Sequence, residues 1–382
     1  MVKTGVAFIF FILQALVLFF LIWGLKIPMR FAFWLITVFV LFSLPLPYIL
    51  WLQAGARQPP PFLAALVVRP FFAWQFNWLC FLVFLAPVIV LARAGAALFA
   101  SEIIIATLRW AVFIIAMIWG SATIIGLWDT TNPPIVERHE VKIKGLPRAD
   151  DGIRVVQLSD PHVSWWNSRQ EICETGRIIA GLEPDILVIT GDMVDHNPLY
   201  VHALADCMDK VNPRLGRYAI IGNHDVYTGT EKVARLMGGR GFRMLRNEWI
   251  SLEDKGAHLA LAGIDDSGRT WISSDPQEKR IPEILADSPQ GLPVILLAHR
   301  PSAFKHVKGL PVALTLTGHT HGGQLKLPFR GPGLADISFA RPSGLYQLGD
   351  QVLYVSRGTG TVGWPFRLNC PKEITLIILR SP

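Results

Sequence analysis

The hydrophobic pattern of this 382-residue chain changes character once, near residue 129. Before that point lie four long apolar stretches, roughly 6–25, 31–52, 72–91 and 103–127, each reaching about the 20 residues a helix needs to cross a bilayer. Beyond it the apolar runs shrink to three to five β-branched or aliphatic residues: 155–158, 186–189, 219–221, 294–297 and 312–316. Each run is followed within two residues by Gly, Asp, Ser or His. Short runs of this kind predict buried strands whose C-terminal loops hold polar groups. Helical periodicity fills the gaps at 169–180, 201–210 and 231–237, so strand and helix alternate as in an α/β fold. Further on the pattern becomes β-rich. Asp254-Lys255-Gly256 and Gly349-Asp350 each sit between two short apolar runs, which predicts two hairpins, and 373–379 predicts a closing strand. This order favours two β-layers covered by helices over one doubly wound sheet.

The boundaries that follow are a transmembrane region over 1–128 with about four helices, a linker over 129–149 and a catalytic domain over 150–382. The DTTNPP stretch, Asp129 to Pro134, is a polar, proline-bearing hinge between the last span and the globular part. A signal peptide is the alternative for the first stretch, but further long apolar segments follow it without a small-residue cleavage site, favouring an uncleaved span. Pro45 and Pro47 predict a kink or a re-entrant piece in the second. Trp23, Trp34, Trp51, Trp78, Trp110 and Trp119 include several at segment ends, where an aromatic belt belongs.

Composition sharpens this division. The chain is 51% hydrophobic and 17% charged, too apolar for an ordinary soluble protein of its length. Arg109 is the charge found within the four stretches, near the start of the last, from where it can reach the interface. Transport paths need ionisable groups deeper than that, so the spans read as an anchor. Removing the seven basic and three acidic residues before Arg138 from totals of 36 and 29 leaves 29 and 26, a nearly neutral catalytic half. The net charge of +7 is therefore no nucleic-acid signature. Four spans put both termini on one side. Lys3, Arg57, Arg69, Arg138, Lys142 and Lys144 would then face Lys26, Arg30, Arg93 and Arg109 across the membrane, a small excess that favours a cytoplasmic catalytic domain on a multi-pass inner-membrane protein. Cys80, Cys173, Cys207 and Cys370 form no CxxC pair and decide no compartment.

The candidate chemistry lies where the short runs stop. Asp160-Pro161-His162, Gly191-Asp192, Gly222-Asn223-His224-Asp225, His299 and Gly318-His319-Thr320-His321 would converge at the carboxyl edge of the sheets, where α/β folds place ligands. Singly, each His reads as a satisfied turn residue. Together, five of the ten histidines follow apolar strands beside Gly, Asp or Asn, and solvated turns do not predict that clustering. Carboxylate, amide and imidazole donors without thiolate suit Mn, Fe, Zn, Co or Ni. Two such ions about 3.5–4 Å apart clamp a phosphate and make hydroxide nucleophilic at neutral pH. Asp192 can bridge them with its two oxygens, and His224 can protonate the leaving oxygen. Asp225 either orients His224 or caps the helix that starts before Val226.

These residues resemble the calcineurin-like metallophosphoesterase superfamily, whose ordered signature D-x-H, G-D-x-x-D, G-N-H-[DE], H and G-H-x-H is complete between Asp160 and His321. The resemblance implies a four-layer α/β/β/α sandwich with two divalent metal ions, one on Asp160, His162, Asp192 and His321 and the other on Asp192, Asn223, His299 and His319. It also implies that His224 contacts phosphate and that Asp195 supports the site without ligating. The extension to GHTHGGQ at Gly318–Gln324, with Arg357-Gly358-Thr359-Gly360 and Pro371-Lys372-Glu373-Ile374, resembles the bacterial membrane-associated branch. Related membrane-associated enzymes act on lipid-linked substrates, including the pyrophosphate of a nucleotide-activated diacyl sugar. The expected function is thus hydrolysis of a phosphoester or pyrophosphate, with a lipid bilayer and a phosphate-bearing, lipid-linked substrate as partners. Alternatives are a phosphodiesterase or phosphatase on a soluble or cell-wall substrate, and a non-catalytic membrane sensor or scaffold. Trp165, Trp166 and Trp364 either line an acyl approach or belong to the core. No sequence feature sets an oligomeric state.

Overall fold

The computed structural model describes residues 2–81, 85–98, 102–270, 273–288, 291–327 and 331–382, with side chains from residue 12 onward except 79 and 80. Two compact units divide the chain: Met1–Trp51 with Ala65–Trp128, and Leu52–Ala64 with Asp129–Pro382.

The first unit is helical. It contains α1 (Val2–Gly24), α2 (Met29–Ser43) and most of α3 (Leu46–Ala54). A short α4 (Pro61–Leu63) leads through one π-helical turn into α5 (Arg69–Cys80), α6 (Ala86–Leu98) and α7 (Glu102–Asp129). Among the described residues two helices are long and apolar enough to cross a membrane, Met29–Ala54 and Glu102–Asp129, where four were expected. The proline pair interrupts the former between α2 and α3. Of the expected span over 72–91, residues 82–84 lie outside the described set, and α5 and α6 flank them. In each long helix 17% of the apolar window is buried. A soluble core helix hides its apolar face; α7 instead exposes Trp110, Ile118, Ile124 and Trp128. Arg109 has a partner within this unit. Its guanidinium donates to the carbonyls of Leu25 (2.7 Å) and Lys26 (3.0 Å), capping the end of α1.

The second unit carries two six-stranded sheets. The first has the order β1 (Ile135–Lys142), β12 (Glu373–Arg380), β2 (Arg154–Leu158), β3 (Ile186–Ile189), β4 (Gly216–Ala219), β5 (Arg243–Met244). The second runs β10 (Gly344–Leu348), β11 (Gln351–Val355), β9 (Val312–Thr317), β8 (Val294–Leu297), β7 (Ala260–Gly263), β6 (Glu248–Ser251). Strands β2 to β5 are parallel, with α8 (Arg169–Gly181), α9 (Val201–Met208) and α10 (Asn223–Gly238) as crossovers. Strand β12 is antiparallel to β2, and β1 runs parallel to β12. Strands β6–β7 and β10–β11 are the two hairpins that the turn residues predict.

The core lies between the sheets. Val155, Ile186, Val188 and Ile377 of the first pack with Leu261, Ile295, Leu297, Leu314 and Leu316 of the second. Each such side chain contributes about 1.5–3 kcal/mol by leaving water. The segment expected to be a linker, 129–149, supplies β1, whose backbone pairs with β12 over its full length. The expected second helical layer is thin. Short helical turns at Pro276–Arg280, α11 (Ile281–Ile284) and Pro301–His306 cover the second sheet, through Ile281, Leu285, Phe304 and Val307. Pro276, Pro282, Pro293 and Pro301 break this stretch, so no long helix can form in it.

Candidate metal centre

Every motif residue named above stands just past the end of a strand. Asp160 and His162 follow β2, Asp192 follows β3, Asn223 opens α10 after β4, His299 follows β8, and His319 and His321 follow β9. The backbone turns sharply at these points. Asp160, His162, Asp192, His319 and His321 all have left-handed φ, between 44° and 70°. Such conformations cost roughly 1–2 kcal/mol per L-residue and persist where surrounding structure fixes them. Here the fixing bonds run from Asp160 N to Gly191 O (3.2 Å) and from His162 N to Asp192 O (3.0 Å). The motif glycines allow close approach. A Cβ on Gly318 would lie 2.0 Å from Asp160 Oδ2, and one on Gly191 2.7 Å from Gly222 N.

The side chains meet in two sets. Asp160, His162 and His321 form one and Asp192, His299 and His319 the other, each with its donor atoms within 4.8 Å of one another. Asp192 stands between them, its Oδ2 3.4 Å from His162 Nε2 and 3.3 Å from His299 Nε2. Asn223 Oδ1 lies 3.1 Å from His299 Nε2.

Outer partners fix which nitrogens face inward. His299 Nδ1 lies 2.9 Å from the carbonyl of Thr190, which can only accept, so this nitrogen carries the proton and Nε2 presents a lone pair. His162 Nδ1 is 3.0 Å from Asp195 Oδ1, and the same reasoning turns its Nε2 inward. There it meets His321 Nε2 at 3.0 Å, while His319 Nδ1 meets His299 Nε2 at 3.2 Å. Buried imidazole nitrogens and carboxylate oxygens gathered this closely, without thiolate, form a donor set that fits divalent metal.

Without one, protons take its place. His299 is buried, which works against its charge, but the adjacent Asp192 carboxylate pushes it up to about 10. Burial likewise opposes charge on His162, and Asp195 prevails, pushing it up to about 9. Their neighbours go the other way: burial, then the charge of His299, lowers His319 to about 3. Burial raises Asp160. Asp192 is buried too, yet His299 holds it well below the carboxylate range. The N-terminus of α10 adds to this, since His224 N donates to Asp192 Oδ1 at 2.7 Å.

The two residues expected to act on protons separate. His224 Nδ1 lies 2.6 Å from Asp195 Oδ1, and its side chain is 19% exposed at the rim. Asp225 does not touch that imidazole. Its Oδ1 accepts from Met193 N (2.9 Å) and Val194 N (3.3 Å), and its Oδ2 from Gly222 N (3.0 Å). Asp225 therefore ties the second motif to the start of α10, and Asp195 is the carboxylate that holds both His162 and His224. Burial, outweighed by His162 and His224, leaves Asp195 far below the usual range, hence anionic.

Trp165 and Trp166 are buried, the first stacked on His196 and the second edge-on to it, which places both in the core; Trp364 packs half-buried on Phe366. Arg367 escapes sequence reasoning altogether. Wholly buried, it donates to the carbonyls of Arg357 (2.7 Å), Gly358 (3.2 Å), Gly360 (2.6 Å) and Cys370 (3.2 Å). The turn it braces bonds back to the first motif, Gly360 N to Asp160 O at 2.8 Å. A lone Arg in Pro365-Phe366-Arg367 carries no spacing signal that could have found it.

Residues 153–323 match the family model described as calcineurin-like phosphoesterase. The chain is 35% identical over 257 residues to the metallophosphoesterase YkuE of Bacillus subtilis, covering 65% of this chain and 87% of that protein. It belongs to the calcineurin-like metallophosphoesterases. Other members of the family are similar at greater distance. A transmembrane protein with metallophosphoesterase domain from Danio rerio is 32% identical, with 68% of this chain matching 60% of that protein's length. The phosphodiesterase YaeI of Escherichia coli is 30% identical, covering 59% of this chain and 82% of its own. Members use divalent metals, in keeping with the inward-facing donors of this metallophosphoesterase.

Proposed function

We propose that this metallophosphoesterase is a membrane-anchored phosphohydrolase that uses two divalent cations to cleave a phosphoester or pyrophosphate on a lipid-linked substrate. The position of Asp192 carries the reading, because one carboxylate stands within 3.4 Å of both inward-facing imidazole sets. Asp160, His162, Asp192 and His321 would hold one cation, and Asp192, Asn223, His299 and His319 the other. Bound cations polarise the phosphoryl oxygens and supply a nucleophile at neutral pH. The chain's own contribution is orientation and proton transfer. Asp195 keeps the His224 proton on Nδ1, which leaves Nε2 to exchange a proton with the departing oxygen.

Anchoring draws support from the exposed apolar faces of the long helices. It also draws on chain order: segment Leu52–Ala64 belongs to the catalytic unit, its Arg57 carbonyl accepting from Tyr200 Oη at 3.2 Å. A chain that leaves that unit at Ala64 and rejoins it at Asp129 crosses the bilayer an even number of times in between. With α7 as one crossing, an even count calls for a further one between those two points, which supports reading the protein as multi-pass. A soluble phosphodiester is the second reading, favoured by the Escherichia coli relative, a phosphodiesterase.

The deciding experiment compares metal-dependent turnover of a lipid-linked diphosphate and of bis-p-nitrophenyl phosphate by full-length protein in detergent, with Asp192→Asn as control. Preference for the lipid supports the first reading, and turnover of the soluble ester alone replaces it with the second. A protein holding two metals that hydrolyses neither is a scaffold.

A further inference from the structure

A cavity of about 410 Å³ opens beside the metal centre and shares the ligand residue His319 with it. An occupant would lie against that ligand residue. Its walls include Arg300, Ser302, Lys305, Phe339 and Arg341. Arg300 is buried and already neutralised, gripping both carboxylate oxygens of Asp266. Lys305 and Arg341 differ: among the described residues neither forms an ion pair. Lys305 is exposed, while Arg341 lies over the rings of Phe304 (5.6 Å) and Tyr346 (5.9 Å), which hold it in place without cancelling its charge. Glu278 also borders this wall, buried and accepting from Ser302 Oγ at 2.6 Å. Burial pushes it up to about 7, so near neutral pH it carries only part of its negative charge.

We propose that this cavity is a subsite for a second phosphate of the substrate, joined to the one at the metal centre and held by Lys305 and Arg341. The inference deepens the phosphohydrolase reading and rests on it. It selects diphosphates over simple esters, because a group with two or more negative charges gains from both cations what an uncharged leaving group does not. The second phosphate can belong to a lipid or to a soluble molecule. The helix α12 (Leu334–Ser338), which brings Ser338 to the cavity, also exposes Leu334 and Ile337, an apolar edge that a lipid tail would use.

The test uses metal-loaded, full-length protein in detergent and compares kcat/KM for farnesyl diphosphate, ADP and bis-p-nitrophenyl phosphate. Lys305→Ala and Arg341→Ala should each lower the ratio of diphosphate to single-phosphate turnover about tenfold, the loss of one charge-assisted contact. Lys305→Arg should restore it. Calorimetry should show the same variants losing affinity for inorganic pyrophosphate more than for inorganic phosphate. A fall confined to farnesyl diphosphate, deepened by Ile337→Ser, names a lipid source; a fall for ADP names a soluble one. A ratio that does not move overturns the subsite while leaving the hydrolase standing. No metal-dependent turnover of any of the three overturns the underlying reading instead.

A second observation stands apart from the site. Cys173 of α8 and Cys207 of α9 form a disulfide, their Cα atoms 4.5 Å apart. Disulfides form and persist in oxidising compartments and are rare in the cytosol. The charge count favours the cytoplasm by only six against four and does not decide the side. We infer that the catalytic unit faces the oxidising, extracytoplasmic side. Alkaline phosphatase fused at Lys144 should be active and a fluorescent protein fused there dark. The reverse pair of results, or free thiols at Cys173 and Cys207 on alkylation of intact cells, would overturn this orientation.

Discussion

The two units of this chain use the same residue types with opposite polarity. In the helical unit Trp, Ile and Phe point outward, and the polar groups that do occur are turned onto one another, as Arg109 is onto the carbonyls after α1. In the catalytic unit Ile, Val and Leu fill the space between two sheets, and the polar residues turned inward are imidazoles and carboxylates at the strand ends. Inward polarity without water is costly unless each group is paired. The exposed apolar faces of the first unit therefore suit an apolar medium, and the buried donors of the second suit cations.

Removing the bridging carboxylate breaks the contrast most sharply. Asp192→Asn should lower turnover by roughly 10³-fold or more and halve the metal content read by elemental analysis, while the helical unit keeps its far-ultraviolet signature. His224→Ala should cost about 10²–10⁴-fold in kcat with both metals retained. Asp195→Asn acts on two imidazoles at once, and metal affinity should weaken about 10–100-fold. Chelation separates the units by pH. His299 and His162 have pKa values raised above the unfolded value, so in metal-free protein their stabilisation is complete below about pH 6.5 and is lost as pH rises towards 9–10. The melting temperature of the chelated catalytic unit should therefore fall with rising pH, and that of the metal-loaded unit should not. The smallest effect belongs to the helical unit: Ile118→Asn on exposed α7 should leave bis-p-nitrophenyl phosphate hydrolysis in detergent within about twofold of the parent.

The sequence revealed the strands and the ligand loops for one physical reason: a short buried strand must end in polar residues, and motif glycines mark the turns. The hairpins at Gly256 and Gly349 were legible for the same cause. What lay hidden depends on contacts distant in sequence. That Asp225 holds backbone amides while Asp195 holds His224 follows from how the loop after β3 meets the start of α10. The burial of Trp165 and Trp166 depends on His196, about thirty residues away. Strand β1 was lost in a supposed linker because its alternating residues, Val136, Glu137, Arg138 and His139, pair with a strand at the opposite end of the chain. Arg367 bonds mostly to carbonyls, which every residue possesses.

The left-handed backbone at five of the ligand residues bears on how the protein acquires its metal. Strand ends and backbone hydrogen bonds set the shape of the cradle, so it is complete before any ion arrives. A cradle of that kind is stocked after folding, from whatever the surroundings offer. The ion it carries is then decided by supply in the compartment where the protein folds, and moving the protein between compartments would change its metal without changing a residue.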